Sequence, residues 1–236
     1  MQMNDSITSV LYGNKEGQDY YSPVDIYSIF TYAYGQMNKA QASPVLKTLC
    51  ADLLRYGAKA QEFKGYRTDS LANSAMTEDQ KAYLSTVEDL TFGNHNLVLD
   101  DLQAPTVTWT GKSLDLASKV TVKYIFDLTA YEGSPADLSL RLTYTDLWGE
   151  VQEFSLTEVQ AYNSDRGLYY FAFDGMLAAE LRQILSAQIY AGDPPVSATL
   201  QYSPDAYGNG KTGSQGELCK ALVAYSDSAK RYFVGS

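Results

Sequence analysis

The chain has 236 residues, 45% of them hydrophobic and 19% charged, which is enough for one large globular domain or two small ones. Its net charge of −10 and its lack of a Lys/Arg cluster argue against nucleic acid as a partner, because phosphate binding requires clustered cations. No apolar run approaches the roughly 20 residues needed to cross a bilayer, so we expect no membrane insertion.

The first part of the chain has one predicted strand and three predicted helices. Residues 6–12 are rich in β-branched and aromatic side chains and predict a strand. Ser-Pro pairs at residues 22–23 and 43–44 predict helix starts, because serine caps a helix and proline suits its first position. The helices are expected over residues 23–37 and 44–63. A third, shorter helix should begin at Thr77, with Gln80 completing a capping box.

From about residue 105 the hydrophobic pattern changes to period two, which is typical of strands. The predicted fold class is α+β: an antiparallel β-sandwich, immunoglobulin-like in style, with a helical N-terminal part and a C-terminal helix. A short turn at residues 146–149 should join two of the strands. The predicted strands cover residues 120–128, 138–144, 151–156, 168–173, 184–190 and 196–202, and the last helix covers residues 218–233.

The predicted helices at residues 44–63 and 218–233 share a repeated pattern. Leu, Cys, Leu, Tyr and Ala recur with identical spacing at an offset of 169 residues, which relates Cys50 to Cys219. Repeats indicate a tandem array. We therefore predict two regions: residues 1–92, a helical region formed by the tail of a preceding repeat unit plus a linker helix, and residues 105–236, the β-sandwich with its C-terminal helix.

Several blocks that together cover most of the chain carry a family resemblance, and the helix signature at residues 53–73 is the fairly specific one. LLRYGAKAQEFKGYRTDSLAN (53–73) resembles the "LLNYGAAAQxYF" module that recurs in large clostridial (Firmicutes) secreted cell-surface proteins. Arg55 and Lys59 depart from that signature, and Ser226 replaces the glycine of its second copy. The resemblance implies a secreted or wall-attached multidomain protein with neighbouring modules as partners. It supplies no catalytic residues to carry over.

Composition also favours an extracellular location at the cell surface or cell wall. Tyrosine is over-represented, with 20 residues, and it offers apolar area and a hydroxyl without charge. Residues 1–6 lack the basic and apolar regions of a signal peptide. The sequence is therefore either cytosolic or an excised piece of an exported protein, and composition favours the second.

Trp148 is the candidate ligand-binding residue. It lies in the predicted turn at residues 146–149, where a large aromatic side chain gains nothing from a core. Stacking on a sugar ring or on a partner protein would explain it. The alternative is that the ring folds back over its own hairpin. Trp109, in an alternating strand, is expected in the core.

The two cysteines are expected to be reduced and buried on their helices. A disulfide between Cys50 and Cys219 stays open as the alternative, and it requires the two helices to pack in one core. Two cysteines and one histidine do not make a four-ligand zinc site unless an acid helps. The sequence thus predicts no metal and no cofactor.

Other motifs in the sequence are better explained by structural roles than by catalysis or ligand binding. His95 lies in a polar loop without a nucleophile motif. The glycines at 208, 210 and 213 match a dinucleotide fingerprint, but no βαβ unit follows them. The acidic pairs Asp100/Asp101 and Glu150/Glu153 are expected to be solvated, and residues 163–167 to form a simple turn.

These observations predict a non-catalytic structural or adhesive module of a bacterial secreted or wall-attached surface protein, and not an enzyme. Its partners are expected to be neighbouring modules, and a glycan or a host or cell-wall protein. A carbohydrate-binding module is the alternative, supported by the tyrosines, Trp148 and net acidity. A coplanar row of exposed aromatic rings on the sandwich would favour that alternative, and scattered tyrosines would argue against it.

Overall fold

The computed structural model describes residues 7–9, 12–15, 18–21, 25–116 and 120–235, and for the strands before residue 28 the description concerns the backbone. The chain divides into two compact units, Met1–Val87 and Glu88–Ser236. Among the described residues, no helix is long and apolar enough to cross a membrane.

The described residues before residue 28 include four short strands in two antiparallel pairs. β1 pairs with β4 and β2 pairs with β3. The bounds are β1 Ile7–Ser9, β2 Tyr12–Lys15, β3 Gln18–Tyr21 and β4 Asp25–Tyr27. The predicted strand at residues 6–12 is thus divided between β1 and the start of β2, and residues 6, 10 and 11 lie outside the described residues.

The helix predicted at residues 23–37 begins later in the structure than the sequence predicts. Residues 22–24 lie outside the described residues, residues 25–27 form β4, and helix α1 covers Ile29–Met37. The Ser28 hydroxyl accepts a hydrogen bond from the Thr31 amide at 3.1 Å, and the Thr31 hydroxyl accepts one from the Ser28 amide at 2.8 Å. This reciprocal cap satisfies the first free amides of the helix, so the helix begins there.

Two more helices complete unit 1. Helix α2 covers Pro44–Lys64, with Ser43 as its cap and Gly65 in the left-handed conformation at its end. Helix α3 covers Glu78–Lys81, and the predicted capping box between Thr77 and Gln80 is confirmed. Buried side chains of α1, α2 and the segment after α2 form one apolar core: Ala33, Met37, Cys50, Ala51, Leu54, Ala58, Ala72 and Met76.

Unit 2 contains two antiparallel sheets and a long C-terminal helix, as the sequence predicted. The five-stranded sheet has the order β5-β13-β12-β8-β9, and the four-stranded sheet has the order β10-β11-β7-β6. In chain order the strands are β5 Asn96–Val98, β6 Thr108–Leu116, β7 Val120–Asp127, β8 Leu138–Thr145, β9 Val151–Leu156, β10 Gln160–Asn163, β11 Leu168–Phe173, β12 Leu185–Ala191 and β13 Leu200–Tyr202.

Alternation along the strands builds the core of unit 2. Every second residue of β8 is buried, while its neighbours are exposed or half-buried. The same period places aromatic and aliphatic side chains inside from both sheets. The largest fully buried side chains of unit 2 are Tyr124, Phe126, Leu138, Leu140, Leu142, Phe171, Phe173, Leu181, Leu185, Ile189 and Leu200.

Two predicted elements differ in extent. Helix α4 covers Gly213–Val234 and so begins five residues before the predicted start, because the glycines of its first turn hide the helical period. The predicted strand at residues 196–202 is reduced to β13, residues 200–202. Ser197 there accepts a hydrogen bond from the Ile189 amide through its side-chain hydroxyl, at 2.8 Å, where a regular strand would use its carbonyl.

The repeated helices bury partly equivalent positions. Cys50 and Gly57 of α2 are buried, as are their counterparts Cys219 and Ser226 of α4. Gln61, however, is buried, whereas its counterpart Lys230 is half-buried. The tandem-array interpretation stays a prediction.

Candidate functional site

The β8–β9 turn is held in one conformation by Asp146. One carboxylate oxygen of Asp146 accepts hydrogen bonds from the amides of Trp148 and Glu150, each at 2.9 Å, and the other accepts one from the Gln152 side chain at 2.8 Å. The Gln183 side chain donates to the carbonyl of Asp146 at 3.0 Å from outside the hairpin. The turn is therefore braced from both sides.

The charge on Asp146 is stabilised by these contacts. Burial opposes the ionised form, but the hydrogen bonds from Glu150, Trp148 and Gln152 outweigh it, so the pKa of Asp146 lies below its ordinary value. The carboxylate consequently stays ionised at neutral pH and keeps its acceptor role. The residue is only 8% exposed, so it serves the turn and is poorly placed to meet a ligand.

Trp148 projects from this braced turn. Its neighbour Leu147 is buried and anchors the tip, whereas Trp148 is 57% exposed. By contrast, the Trp109 indole nitrogen donates to the Ala198 carbonyl at 2.7 Å, and its ring meets Tyr124 edge-on. Trp109, expected in the core, is half-buried and packs through these contacts, whereas Trp148 presents most of its surface to solvent.

Two further apolar side chains lie beside the turn on the outer face of the five-stranded sheet. Val151, 64% exposed, pairs with Thr145 across β8 and β9. Ile184, 46% exposed, immediately precedes β12, and the register of β12 with β8 places it beside Thr145 on the other side. We call Trp148, Val151 and Ile184 the hairpin patch.

The carboxylates of the hairpin patch are on its rim. Glu150 and Glu153 are exposed next to Trp148 and Val151. Basic side chains of the neighbouring segments are engaged elsewhere: Arg141 lies 3.9 Å from the centre of the Tyr190 ring, and Arg182 binds Asp227 at 2.7 Å. The patch is therefore apolar with a negative border.

The buried carboxylates of unit 2 hold loops together. Glu180 accepts hydrogen bonds from the Leu177 amide at 2.7 Å and the Tyr144 hydroxyl at 3.1 Å. Burial, and then the nearby Glu180 charge, raises the pKa of Tyr144. Asp205 accepts from the Gly93 amide at 2.7 Å and from Arg182 at 3.0 Å. Each of these acids is thus committed to partners inside the unit.

In unit 1, the residues of the signature fulfil packing roles. A side-chain carbon added at Gly57 would lie 2.8 Å from the Phe30 ring and 3.1 Å from Ala72, so the glycine permits close packing on the helix. The Gln61 amide donates to the carbonyls of Arg67 and Ser70 and accepts from the Ala72 amide at 2.7 Å. The signature therefore describes a helix and the segment that returns along it.

The two residues that depart from the signature also pair within α2. Arg55 bonds Asp52 at 2.6 Å and the Ser85 carbonyl at 2.7 Å, and Asp52 accepts from the Ser85 hydroxyl at 2.6 Å. Lys59 pairs with the next acid on the helix surface, Glu62, at 2.9 Å. Arg55 thus fastens the end of unit 1 to its longest helix.

The cysteines are free and buried, each inside its own unit. Burial raises the pKa of Cys50 to about 11 and also raises the pKa of Cys219. A raised pKa keeps the thiolate fraction small at neutral pH. These environments suit packing rather than reactivity.

The other residues that the sequence offered as possible site residues lie in separate places and form no common site. His95 is half-buried just before β5, and its ring lies 3.1 Å from the Gln201 amide oxygen. Asp101 caps the Thr199 amide at 2.9 Å. Residues 164–166 form a single helical turn that ends at Gly167. Within the described parts of the chain, no cluster of three His, Cys, Asp or Glu side chains is arranged to hold a metal.

The exposed Tyr162 and the half-buried Tyr170 do not form a flat row where the structure brings them together. Tyr162 and Tyr170, on the four-stranded sheet, have ring centres 6.4 Å apart and planes at 88°. Lys123 lies 5.4 Å from the centre of the Tyr170 ring. A sugar chain stacking on coplanar rings would not fit this pair.

Sequence reasoning found Trp148 but not its neighbours in the hairpin patch. The available signal was Val151, an apolar residue at an outward position of the return strand; Ile184 gives no such signal until the register is known. The chain matches no protein-family model, no curated protein and no solved structure.

Proposed function

We propose that this chain is a non-catalytic adhesive or structural module of a bacterial surface protein, acting outside the cell. The observation that carries the proposal is the presentation of Trp148, 57% exposed on a turn braced by Asp146. Ordering a turn in advance lowers the entropic cost of binding through it. Exposed tryptophans in such positions are frequent anchors of interfaces.

The buried acids add a second line of support. Asp146, Glu180 and Asp205 each bond backbone amides, and such acids serve as loop fasteners. The signature residues Gly57 and Gln61 likewise pack and fasten. A scaffold of this kind suits a module whose task is to hold its shape and contact other molecules.

The carbohydrate-binding alternative relies on Trp148 and on the tyrosines. The right angle between Tyr162 and Tyr170 argues against a flat stacking platform on that sheet. A single exposed indole still suits one sugar ring, so glycans belong among the ligands to be tested.

The test is binding of the purified full chain to arrays of glycans, host extracellular proteins and cell-wall components. We expect at least one specific ligand, and we expect Trp148→Ala to lose it while its circular dichroism and melting curve stay unchanged. Tyr162→Ala is the matched control, because Tyr162 is 58% exposed in the same unit but lies on the other sheet. Binding that survives Trp148→Ala, or turnover of an arrayed glycan, would overturn the proposal.

A further inference from the structure

The hairpin patch has the composition of a protein contact. Two of its three members, Val151 and Ile184, are β-branched aliphatic side chains, 64% and 46% exposed. Sugar rings stack on flat aromatic faces, whereas aliphatic side chains beside an indole form the compact apolar centre of a protein interface. Three large apolar side chains around one turn are also more than scattered surface hydrophobics.

The patch is continuous with a sheet edge. Val151 is the first residue of β9, and β9 pairs with β8 alone among the described strands. An edge strand presents backbone amides and carbonyls that an added strand can bond. Val151, Glu153 and Ser155 are exposed along β9, and they share one face of the strand because successive side chains alternate. One face of an extended segment laid there would therefore meet an apolar, an acidic and a hydroxyl side chain in turn.

The charge of the residues around the patch indicates the charge of the partner. The exposed carboxylates at the patch are Glu150 and Glu153, while Arg141 is held on Tyr190 and Gly192. The whole chain carries a net charge of −10. A cationic partner would be attracted to this border, and an anionic one would be repelled.

We propose that the hairpin patch and the β9 edge bind an extended protein segment that carries an apolar and a basic residue in turn on one of its faces. The inference rests on the proposed function and names the chemistry of its partner. Trp148 anchors the segment, Val151 and Ile184 contact its apolar side chains, and Glu150 and Glu153 pair with its basic ones.

The probe is a short capped peptide in which valine and lysine take every second position in turn, separated by threonine, and it is titrated into the ¹⁵N-labelled full chain. The readout is the indole N–H signal of Trp148, assigned by its loss in Trp148→Phe. The Trp109 indole is an internal control because it donates to the Ala198 carbonyl at 2.7 Å inside the unit. We expect the Trp148 signal to move and the Trp109 signal to stay.

Variants separate the contributions of apolar contact and charge. Trp148→Ala should weaken the affinity for the peptide by ~tenfold or more, as expected when an aromatic anchor is removed. The double variant Glu150→Gln and Glu153→Gln should weaken peptide binding several-fold and reduce its salt dependence. A valine–glutamate peptide should not bind the unmodified chain.

Three results would overturn this inference. The first is a Trp148 signal that does not move when the valine–lysine peptide is added. The second is equally tight binding of the valine–glutamate peptide, and the third is an oligosaccharide that moves the Trp148 signal where the peptide does not. The third result would leave the adhesive function standing with a glycan as its ligand. By contrast, array binding that survives Trp148→Ala would overturn the proposed function itself.

Discussion

The role of Gln61 can be tested by replacing it with leucine, which has a similar size but forms no hydrogen bonds. Gln61 is 6% exposed and binds three backbone groups, the carbonyls of Arg67 and Ser70 and the amide of Ala72. At about 1 kcal/mol of net stabilisation for each bond, the loss should reach about 3 kcal/mol. The returning segment at residues 66–76 should then open more often.

Hydrogen exchange of the full chain measures that opening directly. A loss of about 3 kcal/mol corresponds to roughly 100-fold faster exchange at the Ala72 amide. Gln41→Leu is the control, since Gln41 is exposed in the same unit and its replacement should leave exchange unchanged. If Gln61→Leu exchanges at the unmodified rate, the signature glutamine does not hold the segment, and our structural interpretation of the signature is wrong.

Three other predictions concern the hairpin, its charge and the thiols. Trp148→Ala should change the free energy of unfolding by no more than ~0.5 kcal/mol, as for exposed positions; a clear loss in a urea titration would show that the ring packs. Asp146 has a lowered pKa, so its stabilisation is present above the ordinary carboxyl pKa of about 3.9 and is lost as the pH falls through the lower folded value. The stability difference between the unmodified chain and Asp146→Asn should therefore be constant at neutral pH and shrink in acid, and a difference that grows in acid would contradict this. Cys50 and Cys219 should resist a thiol reagent in the native chain and both react in guanidinium; no reaction after unfolding would indicate a disulfide.

Much of the fold could be predicted because its signals are local. The period of two along β8 follows from burial of one face of the strand, and it predicts that strand directly. The start of α1 was misplaced because the Ser-Pro pair at residues 22–23 and the cap at Ser28 are both valid helix starts by local chemistry. Pairing of residues 25–27 with β1 decides between them, and pairing is a long-range event.

The candidate site also contains residues that local sequence signals predict and residues that only long-range pairing brings there. Trp148 could be found because a turn between two alternating segments exposes its tip. Ile184 could not, because its place beside Thr145 follows from the register of β12 on β8. The clamp of Arg182 on Asp205 and Asp227 was equally hidden, since its partners are far apart in the chain.

The repeated helices differ at one position in a way that can be measured. Gly57 and Ser226 occupy equivalent places, and both are buried. A side-chain carbon at residue 57 would come within 2.8 Å of the Phe30 ring, whereas α4 already accommodates one at Ser226. Gly57→Ser should therefore destabilise unit 1 by about 1–3 kcal/mol through overpacking, despite a gain of a few tenths of a kcal/mol in helix propensity.

The reciprocal change should behave differently. Ser226→Gly introduces no overpacking, so we expect a smaller cost of about 0.5–1 kcal/mol, mainly in helix propensity. Urea unfolding of the two variants gives the comparison. If Gly57→Ser is as stable as the unmodified chain, the Phe30 ring moves aside without cost, and close packing does not explain the signature glycine. If Ser226→Gly is the more damaging change, the buried hydroxyl is itself essential, and the two helices are less equivalent than their shared pattern indicates.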